Sequence, residues 1–169
     1  MTNQMINVLF LCNSNTTCSI MAEAVMNRLS ITDAGGRFKA YSAGCFHRGM
    51  VHPLTLQLLA MNNFDPNEYR SKNWQEFAEA DSPIMNFIFT LTDEVLKEPC
   101  PEFLGAPMTA HWSIPDPATA NGTNAEIHYA FADTLRMIEQ RISIFVNLPL
   151  ESLDNLTLQQ RITAIGTHS

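Results

Sequence analysis

The sequence predicts an α/β fold: three layers, with a four-stranded, mostly parallel sheet and helices on both faces. Two observations carry this. Strand-like and helix-like runs alternate along the chain with short connections, the pattern of crossover units on a parallel sheet. The first strand candidate, Ile6 to Leu11 (INVLFL), is a nearly continuous apolar run, as a strand buried on both faces requires.

The elements follow in order. After a polar loop, Met21, Ala24, Val25 and Leu29 fall on one helical face. Phe38 to Ala43 alternates like a strand. Leu54, Leu58 and Met61 then repeat at helical spacing behind Pro53, a favourable first-turn residue. Met85 to Leu91 is the third strand candidate and Met108 to Trp112 a shorter fourth. Ile127, Phe131, Leu135, Ile138, Ile142 and Phe145 step by three or four, and Thr123 with Glu126 forms a capping box before them. A last helix is expected after Asp154, ending at Gly166, with Leu158, Ile162 and Ile165 as its apolar face.

The chain has 169 residues, which suits one domain, with a core over about 5–148 and a C-terminal helical extension over about 152–166. Hydrophobic residues make up 46% and charged ones 16%, as in a soluble globular protein. A net charge of −7 argues against nucleic acid or an anionic membrane as partner, though not against a small local anion site. The start, MTNQMINVLFLC, lacks the basic region and apolar length of a signal peptide, and no run approaches the ~18 apolar residues of a membrane span. Cys12, Cys18, Cys45 and Cys100 form no C-x-x-C pair, so a cytoplasmic protein with reduced thiols is expected. His47, His52, His111 and His128 show no ligand spacing with the cysteines, so no metal and no bound cofactor is expected. His111 is read as packed at a strand end and Cys45 as a buried small residue.

Chemistry concentrates in FLCNSNTTCSIMAEAV, Phe10 to Val25. Cys12 ends the first strand, and ligands of parallel sheets bind at the carboxyl ends of strands. A polar loop between strand and helix turns N–H groups inward, and the helix adds its positive end. Asn13, Ser14, Asn15, Thr16, Thr17 and Cys18 are thus the candidate oxyanion cradle, with Cys12 as a nucleophilic thiol within it.

This loop resembles that of the low-molecular-weight protein tyrosine phosphatase superfamily, most closely its thioredoxin-coupled arsenate reductases. The family reads C-x5-R-S, followed by a helix opening in M-A-E. Tyr41 to Gly44 (YSAG), VHPL, Arg70 to Lys72 (RSK), FTLTD, Cys100–Pro101, His111 to Ala118 (HWSIPDPA) and RISIFVNLPLESLD resemble family segments too, so the likeness spans nearly the whole chain. It implies the family's fold, with Cys12 as nucleophile and Asn15 shaping the loop. It also implies that Ser19 bonds the thiolate, Asp116 is the general acid and Cys100 is the later redox cysteine.

Three positions depart from the pattern. Cys18 stands at the loop arginine, Thr92 at the middle redox cysteine and Ser14 at the loop glycine. An arginine fork neutralises the incoming oxyanion and follows its transition state, which a thiol cannot do. Its loss also removes a cation that would hold Cys12 ionised, so a less acidic thiol than in the relatives is expected. Cys18 has three readings: a disulfide partner of Cys12, a soft ligand beside it, or a small residue left where catalysis has faded. Three functions fit these residues. One is arsenate reduction, with Cys100, Cys18 or an external thiol such as thioredoxin or glutathione as resolving group. The second is phosphatase action, with water attacking the adduct. The third is a protein that binds or senses an oxyanion or metalloid without turnover.

Overall fold

The computed structural model describes residues 5–46 and 49–167; His47 and the first four residues lie outside them. Four strands, β1 (Ile6–Cys12), β2 (Phe38–Gly44), β3 (Phe87–Thr90) and β4 (Met108–His111), form a sheet of order β2-β1-β3-β4. Every pairing is parallel. The continuous apolar run of β1 has its predicted place: it is central, and Val8, Leu9, Phe10 and Leu11 are fully buried.

Even-numbered β1 residues face the helical layer, as the two-residue period of a strand dictates. There Val8 and Phe10 pack with Phe87, Phe89 and Trp112 against α1 (Cys18–Asp33), α3 (Asn124–Val146) and α4 (Asn155–Ile165). Leu9 and Leu11 face the other layer, where Trp74, Phe77 and Val95 cover them. These come from two 3-10 turns, Trp74–Phe77 and Glu94–Lys97, so the cover on this face is single helical turns rather than α-helices. Helical periodicity cannot reveal such turns, because each is one turn long.

The helices begin where their capping residues stand. Thr123 and Glu126 form the expected capping box on α3. Asp154 accepts from the Thr157 N–H at 2.7 Å to start α4. His52 accepts from the Leu54 N–H ahead of Pro53 and opens α2 (Pro53–Met61). The C-terminal extension belongs to the main core: Leu158, Ile162 and Ile165 are buried in it. The Trp112 indole N–H donates to the Ile162 carbonyl at 2.8 Å. Helix α1 is buried on two sides, with Met21 and Val25 toward the sheet and Ile20 and Ala24 toward Leu59 of α2. It is thereby held rigidly behind the loop that precedes it.

Candidate active site

The loop between β1 and α1 closes around Cys12. Its carbonyls are drawn outward by surrounding elements. The Cys12 and Asn13 carbonyls accept from the Cys45 and Phe46 N–H groups at 3.3 and 2.7 Å. The Ser14 carbonyl accepts from the Ser71 hydroxyl at 3.1 Å, and the Thr16 carbonyl from the Thr55 hydroxyl at 3.0 Å. With these carbonyls engaged from outside, the loop's N–H groups are the ones left to face Cys12. One of them is explicit: the Asn15 N–H donates to Cys12 Sγ at 3.1 Å. Asn15 achieves this at φ 55°, a left-handed conformation that asparagine tolerates better than most residues.

Gly44 sits beside the loop for a steric reason. A Cβ there would lie 2.8 Å from the Asn13 carbonyl oxygen and 2.9 Å from the Asn15 nitrogen. Inside the loop, Ser14 Oγ and Thr16 Oγ1 are hydrogen-bonded at 2.8 Å. Ser19, in the first turn of α1, brings its hydroxyl 2.8 Å from Cys12 Sγ and accepts from Asn15 Nδ2 at 2.8 Å. Thr17 caps α1 without a side-chain bond to a helix N–H; its hydroxyl donates instead to Asp116 Oδ1 at 3.0 Å. The Pro117–Thr119 turn thereby holds Asp116 at the loop, where its charge is felt at Cys12.

Burial pushes the Cys12 thiol up from its ordinary range, opposed by hydrogen bonds from the Ser19 hydroxyl and the Asn15 amide; Asp116 adds to the upward shift. Cys18 is wholly buried within the main core and contacts Thr17 Oγ1 at 3.7 Å. Burial raises its thiol too, and the charges of Cys12 and Asp116 add to this. The structure thus brings Asn13, Ser14, Asn15, Thr16, Thr17, Ser19 and Asp116 together around Cys12. Cys18 adjoins them, and both it and Cys12 are buried.

Cys100 is not part of this cluster. It is exposed on the segment after the Glu94–Lys97 turn. There it lines a cavity of about 740 Å3, together with Leu11, Val95, Phe103, Thr90 and His111. Cys45 packs on the same face of the sheet, half-buried, with its thiol donating to the Asn13 carbonyl at 3.7 Å. Thr92 is buried, and its hydroxyl has no hydrogen-bond partner among the described residues. His111 bonds Thr90 Oγ1 at 2.7 Å and Asp93 Oδ1 at 2.8 Å, which fixes the start of that segment. Among the described residues no group of three His, Cys, Asp or Glu could hold a metal ion, and no helix is long and apolar enough to cross a membrane.

Sequence reasoning assigned no role to Gly44, Ser42, Glu23, Ser71 or Lys72. Ser71 and Lys72 reach the loop because residues 72–73 extend the sheet beyond the end of β2: the Gly44 N–H donates to the Lys72 carbonyl at 3.0 Å, and Gly44 bridges Asn73. The only signals were that Tyr41–Gly44, Arg70–Lys72 and the M-A-E helix opening that holds Glu23 resembled family segments.

A parallel four-stranded sheet with a cysteine-headed loop leading into a helix defines the class, and the comparisons with known proteins agree. The model of the low molecular weight phosphotyrosine protein phosphatase family matches residues 7–157, and the chain belongs to that family. An arsenate reductase from Oceanobacillus iheyensis is 28% identical over 141 residues, covering 82% of this chain and 93% of that one. The crystal structure of an arsenate reductase from Archaeoglobus fulgidus superposes with a TM-score of 0.63 at 26% identity, covering 83% of this chain and 99% of that one. A low molecular weight protein tyrosine phosphatase from T. tengcongensis gives 0.65 at 18% identity, covering 88% and 99%; at that identity the likeness is one of fold.

Proposed function

We propose that the protein is a thiol-dependent enzyme of the arsenate reductase type, with Cys12 as its nucleophile. One observation carries the reading. Cys12 Sγ receives the Asn15 N–H at 3.1 Å and lies 2.8 Å from the Ser19 hydroxyl, while Thr17 ties Asp116 to the same loop. Nucleophile, charge-stabilising donors and an acid are thus in one place. The relatives described as arsenate reductases support the choice of oxyanion.

In this reading the Cys12 thiolate attacks arsenate, an As–O bond breaks, and Asp116 protonates the departing oxygen. A second thiol then attacks Cys12 Sγ. A disulfide forms, the S–As electron pair passes to arsenic, and As(V) leaves as As(III). Two thiols are oxidised for one arsenate reduced. The second thiol is Cys100, the exposed one, or an external thiol such as thioredoxin or glutathione. Cys18, buried beside Cys12 as Cys12 itself is buried, is the other candidate. Such a cycle needs the reducing conditions of a cytoplasm.

A second reading is favoured by Cys18 itself. Without arginine at that position the loop lacks a bidentate cation, and a protein that binds an oxyanion without turnover would tolerate this. Turnover decides. Arsenate with thioredoxin or glutathione is measured beside a chromogenic aryl phosphate, for the wild type and Cys12→Ser. Arsenate-dependent thiol oxidation, lost in Cys12→Ser, supports the reductase. Aryl phosphate hydrolysis alone makes the protein a phosphatase. Binding of arsenate with neither activity makes it a binding protein.

A further inference from the structure

The face of the sheet away from the helical layer is only partly covered. The Trp74–Phe77 and Glu94–Lys97 turns border the cavity of about 740 Å3 in whose wall Cys100 stands. That volume suits a small-molecule site. Strand β1 turns Leu11 to this cavity and the next residue, Cys12, to the cradle, so the sheet separates the two spaces. Leu11, Thr90 and His111 pair in one row across the carboxyl end of the sheet, and Ile88 lies on the same face as Thr90. Trp74 and Phe103 add aromatic rings to the lining, and Glu98 and Glu102 add carboxylates.

The polar groups of this lining accept hydrogen bonds and have none to donate. Asp93 Oδ1 lies 2.8 Å from His111 Nε2 and accepts from the Ser113 hydroxyl at 3.0 Å. A carboxylate can only accept, so Nε2 carries the proton, and Nδ1 of the neutral ring is left as an acceptor. The Thr90 hydroxyl, 2.7 Å from Nδ1, must donate to it. Thr90 Oγ1 is then left with lone pairs and no proton to offer. Glu98 and Glu102 have no ion pair among the described residues. No lysine or arginine is among the described residues of the lining. The 93–102 segment carries Asp93, Glu94, Glu98 and Glu102 against Lys97 alone. Its charge reaches inward, since Glu98 is felt at the Cys45 thiol. An anion in this cavity meets like charge. A protonated amine meets acceptors, carboxylates and the rings of Trp74 and Phe103, which attract a cation.

We propose that this cavity is a binding site for a small amine with an apolar body, the body lying against Leu11, Ile88 and Trp74 and the ammonium taken by the acceptors of the lining. Because Cys100 belongs to the same lining, an occupied cavity shields that thiol. The proposal does not involve Cys12 and holds whatever the cradle turns over.

Naphthylethylamine and naphthylacetate present one ring with opposite charges. Each is titrated into the reduced full chain by fluorescence. Alkylation of Cys100 by iodoacetamide, resolved by peptide mapping with Cys12 as internal control, places the bound ring. Saturable binding of the amine at about 1 mM or tighter is expected. It should slow Cys100 labelling and leave Cys12 labelling unchanged. The carboxylate should bind at least about tenfold more weakly. Neither Glu98 nor Glu102 is buried, so Glu98→Gln/Glu102→Gln should fold, and it is expected to erase most of the preference. Thr90→Val keeps the side chain's shape and is expected to weaken the amine. A preference that survives both variants would come from the net charge of −7 rather than from the cavity, and overturns the proposal. Equal binding of the two compounds, no saturable binding of the amine, or amine binding that leaves Cys100 labelling unchanged overturns it too.

Discussion

Replacing Cys18 by arginine puts the missing charge back. Cys18 opens α1 and has no exposure, so a longer side chain cannot remain in the core it occupies. It must turn over the loop, and the residues it displaces cost about 1–3 kcal/mol, as overpacking usually does. For a chain of this size that is a melting temperature lower by roughly 2–12 °C. The return is a bidentate fork at the cradle. Two charge-assisted hydrogen bonds contribute about 1.5–3 kcal/mol each, so about 3–6 kcal/mol together, or two to four orders of magnitude in affinity. Asp116 claims part of this, because its charge is already felt at position 18. The expected outcome is tighter phosphate binding by calorimetry in a protein that melts lower. A Cys18→Arg protein that is folded yet binds phosphate no tighter than the wild type refutes the charge reasoning.

Three further outcomes follow from the same geometry. Cys12 and Cys18 both have thiols raised above the ordinary value of 9.0. Above that pH the unfolded chain sheds these protons while the native state keeps them, so stability is full below pH 9 and falls as pH rises past it, by up to about 1.4 kcal/mol per pH unit for each thiol. Urea denaturation between pH 7 and 10.5 should show the decline, and Cys18→Ala should lessen it. Gly44→Ala should disorder the cradle, since its Cβ would meet backbone at 2.8 Å. Lower phosphate affinity with a melting temperature reduced by several degrees is expected, and an unchanged protein would mean that the loop yields easily. Asp116→Asn should have two opposite effects: a more acidic Cys12, because the carboxylate raises that thiol, and slower turnover, because the acid is lost. Alkylation kinetics and turnover of the same sample separate them.

The parts of this protein that were legible in its sequence are those whose cause is local. The apolar run Ile6 to Leu11 reads as a strand buried on both faces, and the Thr123–Glu126 box and Asp154 mark helix starts by chemistry that needs no distant partner. The polar loop after Cys12 was readable because strand, loop and helix are consecutive. What escaped depends on residues far apart in the chain. Lys72 meets Asn15 across 57 positions. Gly44 matters only because its missing Cβ leaves room for Asn13 and Asn15. Likewise, Cys18 follows the loop in sequence, but whether its thiol points into the cradle or the core depends on how α1 packs on the sheet, and it lies in the core.

The central claim, that oxyanion chemistry passes through Cys12, is tested most directly by the fate of that sulfur in one turnover. Reduced protein is mixed with stoichiometric arsenate, with and without glutathione, quenched in acid, alkylated and mapped. The account predicts that Cys12 disappears from the alkylated thiol pool mole for mole with arsenite formed, recovered as a disulfide with Cys100, with Cys18 or with glutathione. Arsenite formed while Cys12 remains fully alkylatable would contradict it.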